Sequence, residues 1–115
     1  MPSVRMDSAW QVSEPAMITV GSITIDAAKH QVTKNGAALK LTPKEFKILL
    51  ALARTPDTVL SKEGLVEKAW GAEFVGETSS ITVFIKKLRD KIEDDPSDPR
   101  IIETVWGFGY RLAEV

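Results

Sequence analysis

The sequence predicts an α+β fold, a small antiparallel sheet followed by three helices and a closing β-hairpin, and three local patterns carry that reading. Asn35-Gly36 separates two short runs in which apolar and polar residues alternate. Thr42-Pro43-Lys44-Glu45 has the arrangement of a helix-opening capping box, and Gly107-Phe108-Gly109 sits at the tip of a C-terminal segment with strand-like alternation.

From Met17 onward the runs SITID, QVTK and AALKL alternate apolar and polar residues. Asn-Gly between alternating runs favours a two-residue hairpin turn, because both residues tolerate positive φ. Residues 1–16 mix Pro, Ser, Gln and charges without an apolar period, so a disordered arm or linker remnant is expected there and a folded domain over residues 17–115. At Thr42 the hydroxyl is placed to accept the Glu45 amide while Glu45 reaches back to the Thr42 amide, with proline at the first helical position. Phe46, Leu49, Leu50 and Ala53 then recur at helical spacing until Thr55-Pro56-Asp57 stops the helix. Ser61 caps a second helix carrying Leu65, Val66, Ala69 and Trp70 and ending at Gly71.

Residues 71–77 read as a loop, after which Thr78, Ser79 or Ser80 caps a third helix extending to about Glu93. Advancing about 100° per residue, Ile81, Ile85, Leu88 and Ile92 fall within roughly 60° of one another and form a core-facing seam. Ser79, Val83, Lys86, Lys87 and Asp90 then point outward, with Ser80 and Lys91 at the margin and Phe84 flanking the seam. Asp94-Asp95-Pro96-Ser97-Asp98-Pro99 cannot continue a helix and predicts a turn. IIETVWGFGYRL follows as a hairpin, Tyr110 and Leu112 sharing one face and Arg111 the other.

Composition narrows the function. The chain has 115 residues, 43% of them hydrophobic and 27% charged, as in one ordinary globular domain. It lacks a run of about 18 apolar residues and a basic-then-apolar leader, so neither a membrane span nor a secretion signal is expected and a cytoplasmic location is. With no cysteine and only His30 as histidine, neither a metal site nor a cofactor is indicated. The carboxylates cluster in a surface turn and Gly107-Phe108-Gly109 has no following helix to hold a phosphate, so no enzyme is indicated either. A net charge of -1 argues against indiscriminate coating of nucleic acid. Its distribution is uneven: Lys86, Lys87, Arg89 and Lys91 crowd the third helix, whereas Glu93, Asp94, Asp95 and Asp98 follow it.

A helix of about fourteen residues, apolar on one side and bearing lysines and small polar groups on the other, has the size to enter a DNA major groove. Alone it reads first as a solvated amphipathic helix, since charged outer faces occur on most surface helices. A capped helix, a second helix, a basic third helix and a glycine-tipped hairpin in this order make the layout of a winged helix-turn-helix.

The segments LTPKEFKILLALA, VLSKEGLVEKAWG, ITVFIKKLRDKIEDDPSDPRII and ETVWGFGYRL, in that order and spacing, resemble the DNA-binding effector domain of OmpR/PhoB-family response regulators from about Met17 to the C-terminus. The resemblance implies a winged helix-turn-helix with an N-terminal antiparallel four-stranded sheet, three helices and a C-terminal wing. It implies sequence-specific binding of double-stranded promoter DNA, direct repeats occupied by a second protomer, and a receiver domain and sensor kinase where the chain is part of a longer protein. Ser79, Ser80, Val83 and Lys87 match positions facing bases, and Lys86 a phosphate-contacting position. Trp70, Thr104 and Tyr110 match backbone-contacting positions, with core packing at least as good a reading for Trp70 and Tyr110; Trp106 and Arg111 complete the candidate wing. Glu73, Phe74 and Glu77 match a loop that contacts RNA polymerase, although Phe74 folding back onto the core explains that residue equally well. Ser79, Phe84 and Trp106 replace residues that are often basic in the family, so the wing either lies along the sugar-phosphate edge or packs on a neighbouring protomer. The alternative function is a winged-helix protein-interaction module that does not bind DNA.

Overall fold

A computed structural model of the chain describes residues 17–56 and 58–113, so the arm expected over residues 1–16 lies outside the described residues. Four strands open the fold: β1 (Met17–Val20), β2 (Ile23–Asp26), β3 (Gln31–Lys34) and β4 (Ala37–Leu39), paired antiparallel in chain order. Asn35 and Gly36 take φ of 52° and 84° between the paired Lys34 and Ala37, the two-residue turn that Asn-Gly favours. Alternation turns Ile23, Ile25 and Val32 into the core. β1 has a weaker signature, because only Val20 of its four residues is buried.

Helix α1 (Pro43–Ala53) begins with the expected reciprocal cap: Thr42 Oγ1 accepts the Glu45 amide at 3.3 Å and Glu45 Oε1 accepts the Thr42 amide at 2.9 Å. It buries Phe46, Ile48, Leu49 and Leu52. Helix α2 (Lys62–Ala69) starts where Ser61 Oγ accepts the Gly64 amide at 2.9 Å and buries Leu65 and Val66. Residues Ala72–Glu77, expected as a loop, wind into a 3-10 turn that leads into α3 (Ser80–Ile92). Strands β5 (Ile102–Val105) and β6 (Gly109–Leu112) form the closing hairpin. Ile81, Ile85, Leu88 and Ile92 are all buried, so the predicted seam is the side on which α3 meets the core. Burial of four such side chains contributes roughly 1.5–3 kcal/mol each, far more than any single exposed charge on the opposite face.

Two connections were not visible in the sequence. Leu60 exchanges both backbone hydrogen bonds with Tyr110, at 2.8 and 2.9 Å, and so adds an edge to the hairpin between α1 and α2. A one-residue bridge has no periodicity to read. Glu93, counted above among the charges of the acidic turn, is instead buried: its carboxylate accepts the amides of Arg100, Ile101 and Ile102 at 2.8–3.0 Å and closes the turn between α3 and β5. Asp94 pairs with Lys34 at 2.7 Å and Asp98 with Arg100 at 3.1 Å, which fastens that turn to the sheet and to itself. Among the described residues no helix is long and apolar enough to cross a membrane.

Candidate nucleic-acid interface

The outer face of α3 carries Ser79, Val83, Lys86, Lys87 and Asp90 in the open, Val83 being 53% exposed, while Ser80 is half-buried. The helix starts after Ser79, one of the three expected caps, whose side chain makes no capping hydrogen bond. The chain enters from the 3-10 turn with Ser79 already in helical conformation, and the Ile81 amide donates to the Thr78 carbonyl at 3.1 Å. The Ser79 hydroxyl thus has no capping duty.

The basic helix has fewer outward charges than its composition suggests. Lys91, read as marginal to the outer face, turns toward α1 and meets Glu45 Oε1 at 2.7 Å. Burial raises the Glu45 pKa, but the Lys91 and Thr42 hydrogen bonds and the Lys91 charge outweigh it and hold the carboxyl below its ordinary value. Arg89 reaches the hairpin, where Nε and Nη2 donate to the Ile102 carbonyl at 3.2 and 2.8 Å and Nη2 donates to Thr104 Oγ1 at 2.8 Å. Burial lowers the Arg89 pKa against the opposing pull of Tyr110 and Glu93. Lys86 and Lys87 are the α3 lysines left to the exposed face. The helical period alone did not separate these roles, because Lys91 and Arg89 depend on partners 46 and 13 residues away.

At the N-terminal end of α3, three rings surround Lys44. Its Nζ lies 4.6 Å from the Trp70 ring, 5.6 Å from Phe74 and 6.0 Å from Phe84, and 3.7 Å from a Glu77 carboxylate oxygen. The Trp70 indole N–H donates to the Lys44 carbonyl at 3.3 Å. Phe84 meets Trp70 edge-on, ring centroids 5.3 Å apart, and supports Lys87 Nζ at 5.4 Å. Phe74 is half-buried against the core, whereas Glu73 and Glu77 are exposed on the 3-10 turn. Sequence reasoning missed Lys44, whose position in the first turn of α1 signals only a solvated charge.

The hairpin projects beside α3. Trp106 is 87% and Phe108 73% exposed at its tip, while Tyr110 is buried with its ring 5.8 Å from the Arg89 guanidinium. Thr104 is held by Arg89, and Arg111 pairs with Glu103 across the hairpin at 2.6 Å. An open groove of about 530 Å3 joins the two elements, with Thr82 and Arg89 of α3 on one wall and Trp106 and Phe108 on the other. Residues 79, 83, 86 and 87 lie exposed along α3 and residue 106 at the hairpin tip, whereas Glu77 joins the aromatic cluster around Lys44 and Glu73 is exposed on the 3-10 turn. His30, the one histidine, stacks on Phe46 at 4.7 Å in the β2–β3 turn.

Residues 36–112 match the family model described as transcriptional regulatory protein, C terminal. The chain is 41% identical over 99 residues to the DNA-binding response regulator MtrA of Mycolicibacterium smegmatis, covering 85% of this chain and 43% of that protein. It is 44% identical over 92 residues to the transcriptional regulatory protein AfsQ1 of Streptomyces coelicolor, covering 80% and 41% respectively. The chain thus spans less than half the length of these relatives. Among solved structures, the response regulator DrrB, a Thermotoga maritima OmpR/PhoB homologue, superposes with a TM-score of 0.76 at 34% identity, covering 95% of this chain and 49% of that one. The Klebsiella pneumoniae RstA DNA-binding domain, solved in complex with the RstA box, gives 0.75 at 32% identity over 84% of this chain and 96% of that one. The matched family model, the order of the strands and helices and these superpositions together show that the chain belongs to the transcriptional regulatory protein C-terminal family, the winged-helix effector domains of OmpR/PhoB type.

Proposed function

We propose that this domain binds double-stranded promoter DNA sequence-specifically and acts as the effector part of a response regulator in the cytoplasm. The observation that carries the reading is α3 itself: its apolar seam is fully spent on the core, and its opposite face offers two lysines, small polar groups and one branched apolar side chain to a groove-shaped partner. Lys87 suits guanine O6 and N7, the Val83 methyls suit a thymine methyl, and Ser79 and Ser80 donate or accept at neighbouring base edges. Lys86 serves a phosphate, and Trp106 lies along the adjacent sugar-phosphate edge with Arg111 behind it. Trp70, Thr104 and Tyr110 are better assigned to framing the interface, since each is engaged by Lys44, Arg89 or the core.

Two outward lysines give a light grip, so occupancy depends on a second protomer at a direct repeat. The exposed Glu73 and Glu77, with the rim of Phe74, form the surface offered to RNA polymerase. Where the chain is part of a longer protein, a receiver domain answering a sensor kinase would control the pairing, a reading supported by the similarity to the response regulator MtrA. Selection of bound duplexes from random DNA tests the reading. The expected product is two like-oriented half-sites about one helical turn apart; a pool no different from its starting composition would refute it.

A further inference from the structure

We propose that Phe84 is a specificity-determining positioning residue, whose ring face holds the Lys87 ammonium in the attitude from which it reaches a base edge. The inference rests on the DNA-binding reading above and deepens it.

A lysine on a helix surface is a point charge on a flexible four-carbon stem, well suited to phosphates but poor at choosing between bases unless its rotamer is constrained. Lys86 and Lys87 are adjacent and both exposed, yet their surroundings differ. Lys87 lies one turn after Phe84, the spacing at which helix side chains meet, and its Nζ stands 5.4 Å from the ring centroid. The ring is itself immobilised. It is half-buried against the core and meets the edge of Trp70 at 5.3 Å with an interplanar angle of 77°. Trp70 in turn is fixed by its indole hydrogen bond to the Lys44 carbonyl and by the Lys44 ammonium 4.6 Å from its ring. Lys44 sits in the capped first turn of α1, so contacts run without a gap from a rigid helix start to the Lys87 head group.

The chemistry of the support matters. A carboxylate at this position would hold Lys87 equally well but would neutralise it and occupy its N–H donors. An aromatic face attracts the ammonium through its quadrupole, leaves the charge intact and leaves donors free for guanine O6 and N7. The ring therefore orders Lys87 for directional contact, while Lys86 remains free to follow a phosphate.

The test is a double-mutant cycle on the full 115-residue chain, using the selected duplex and the same duplex with the base pair under Lys87 exchanged. Phe84→Leu keeps apolar bulk against Trp70 but removes the ring; Phe84→Tyr keeps the ring. Phe84→Leu is expected to reduce discrimination between the two duplexes about two- to fivefold, to have no such effect in a Lys87→Ala background, and to be rescued by tyrosine. Thermal unfolding confirms that each variant is folded at the assay temperature. Unchanged discrimination in Phe84→Leu, or an equal loss with and without Lys87, overturns the proposal and reduces Phe84 to packing. Failure of the unmodified chain to bind any duplex strikes the DNA-binding reading instead, and is seen before a variant is made.

Discussion

Glu45 Oε1 and Lys91 Nζ meet at 2.7 Å across 46 residues of chain, so the residue that caps α1 also anchors the last turn of α3. The pairing is asymmetric in exposure: the Glu45 side chain is 2% exposed and Lys91 is 35%. Removing Lys91 leaves a buried carboxylate with only its Thr42 cap, whereas removing Glu45 leaves a lysine that water can solvate.

Lys91→Ala is therefore expected to destabilise the fold by about 1–3 kcal/mol, discounted from a fully buried pair because the lysine is partly solvated. The midpoint of urea unfolding reads the loss. The same variant should leave the salt dependence of DNA binding unchanged, since Lys91 does not face the groove.

The Glu45 carboxyl is held below its ordinary value of 4.5 in the fold, so its stabilising contribution is present above that value and is lost as pH falls through the lower, folded value. Glu45→Gln should flatten this part of the acid-unfolding profile and lower stability near neutrality. Urea unfolding at a series of pH values below 5 compares the two chains.

The adjacent lysines should separate in a binding assay. Lys87→Ala is expected to relax preference at one base pair by roughly 1–3 kcal/mol. Lys86→Ala should weaken selected and random duplexes alike and reduce the salt slope by about one phosphate. Equal losses for Lys87→Ala on both duplexes would refute its assignment.

Gly109 is fixed by backbone proximity. A Cβ built there would overlap the Leu60 carbonyl oxygen, so alanine must break the Leu60–Tyr110 bridge. Gly109→Ala should cost at least about 2 kcal/mol. Gly107→Ala, with φ of 84° and no atom within 4 Å of a Cβ, should cost only the roughly 1–2 kcal/mol of left-handed strain. Thermal unfolding of the two variants measures the difference.

Much of this fold was legible because its signals are local. Asn35-Gly36, the Thr42–Glu45 box and the Ile81, Ile85, Leu88, Ile92 period each act within one turn or one helix, and each appears where its chemistry requires. What was hidden depends on partners distant in sequence. Glu93 looks like one more acid of the turn until the Arg100, Ile101 and Ile102 amides are folded around it. Arg89 looks like one more cation of a basic helix, and Lys91 like one at the margin of its outer face, until the hairpin and α1 claim them. The outward direction of Val83, Lys86 and Lys87 was readable from period alone; the ring contacts that distinguish Lys87 from Lys86 were not.

The wing has no cation between Ile101 and Tyr110, and Trp106 is its most exposed side chain. Trp106→Ala should leave stability within about 0.5 kcal/mol while weakening DNA binding. Trp106→Arg should add about one phosphate's worth of salt dependence. Unfolding midpoints and affinities at several salt concentrations check both, and an unchanged affinity for Trp106→Ala would remove the wing tip from the interface.

A salt titration of duplex binding, with a selected and a random sequence side by side, tests the central claim most directly. The structure of α3 predicts that log affinity falls linearly with log salt for both and that the selected duplex is bound more tightly throughout. Absence of binding to either duplex at low salt would contradict it and favour a protein-interaction role for the same winged fold.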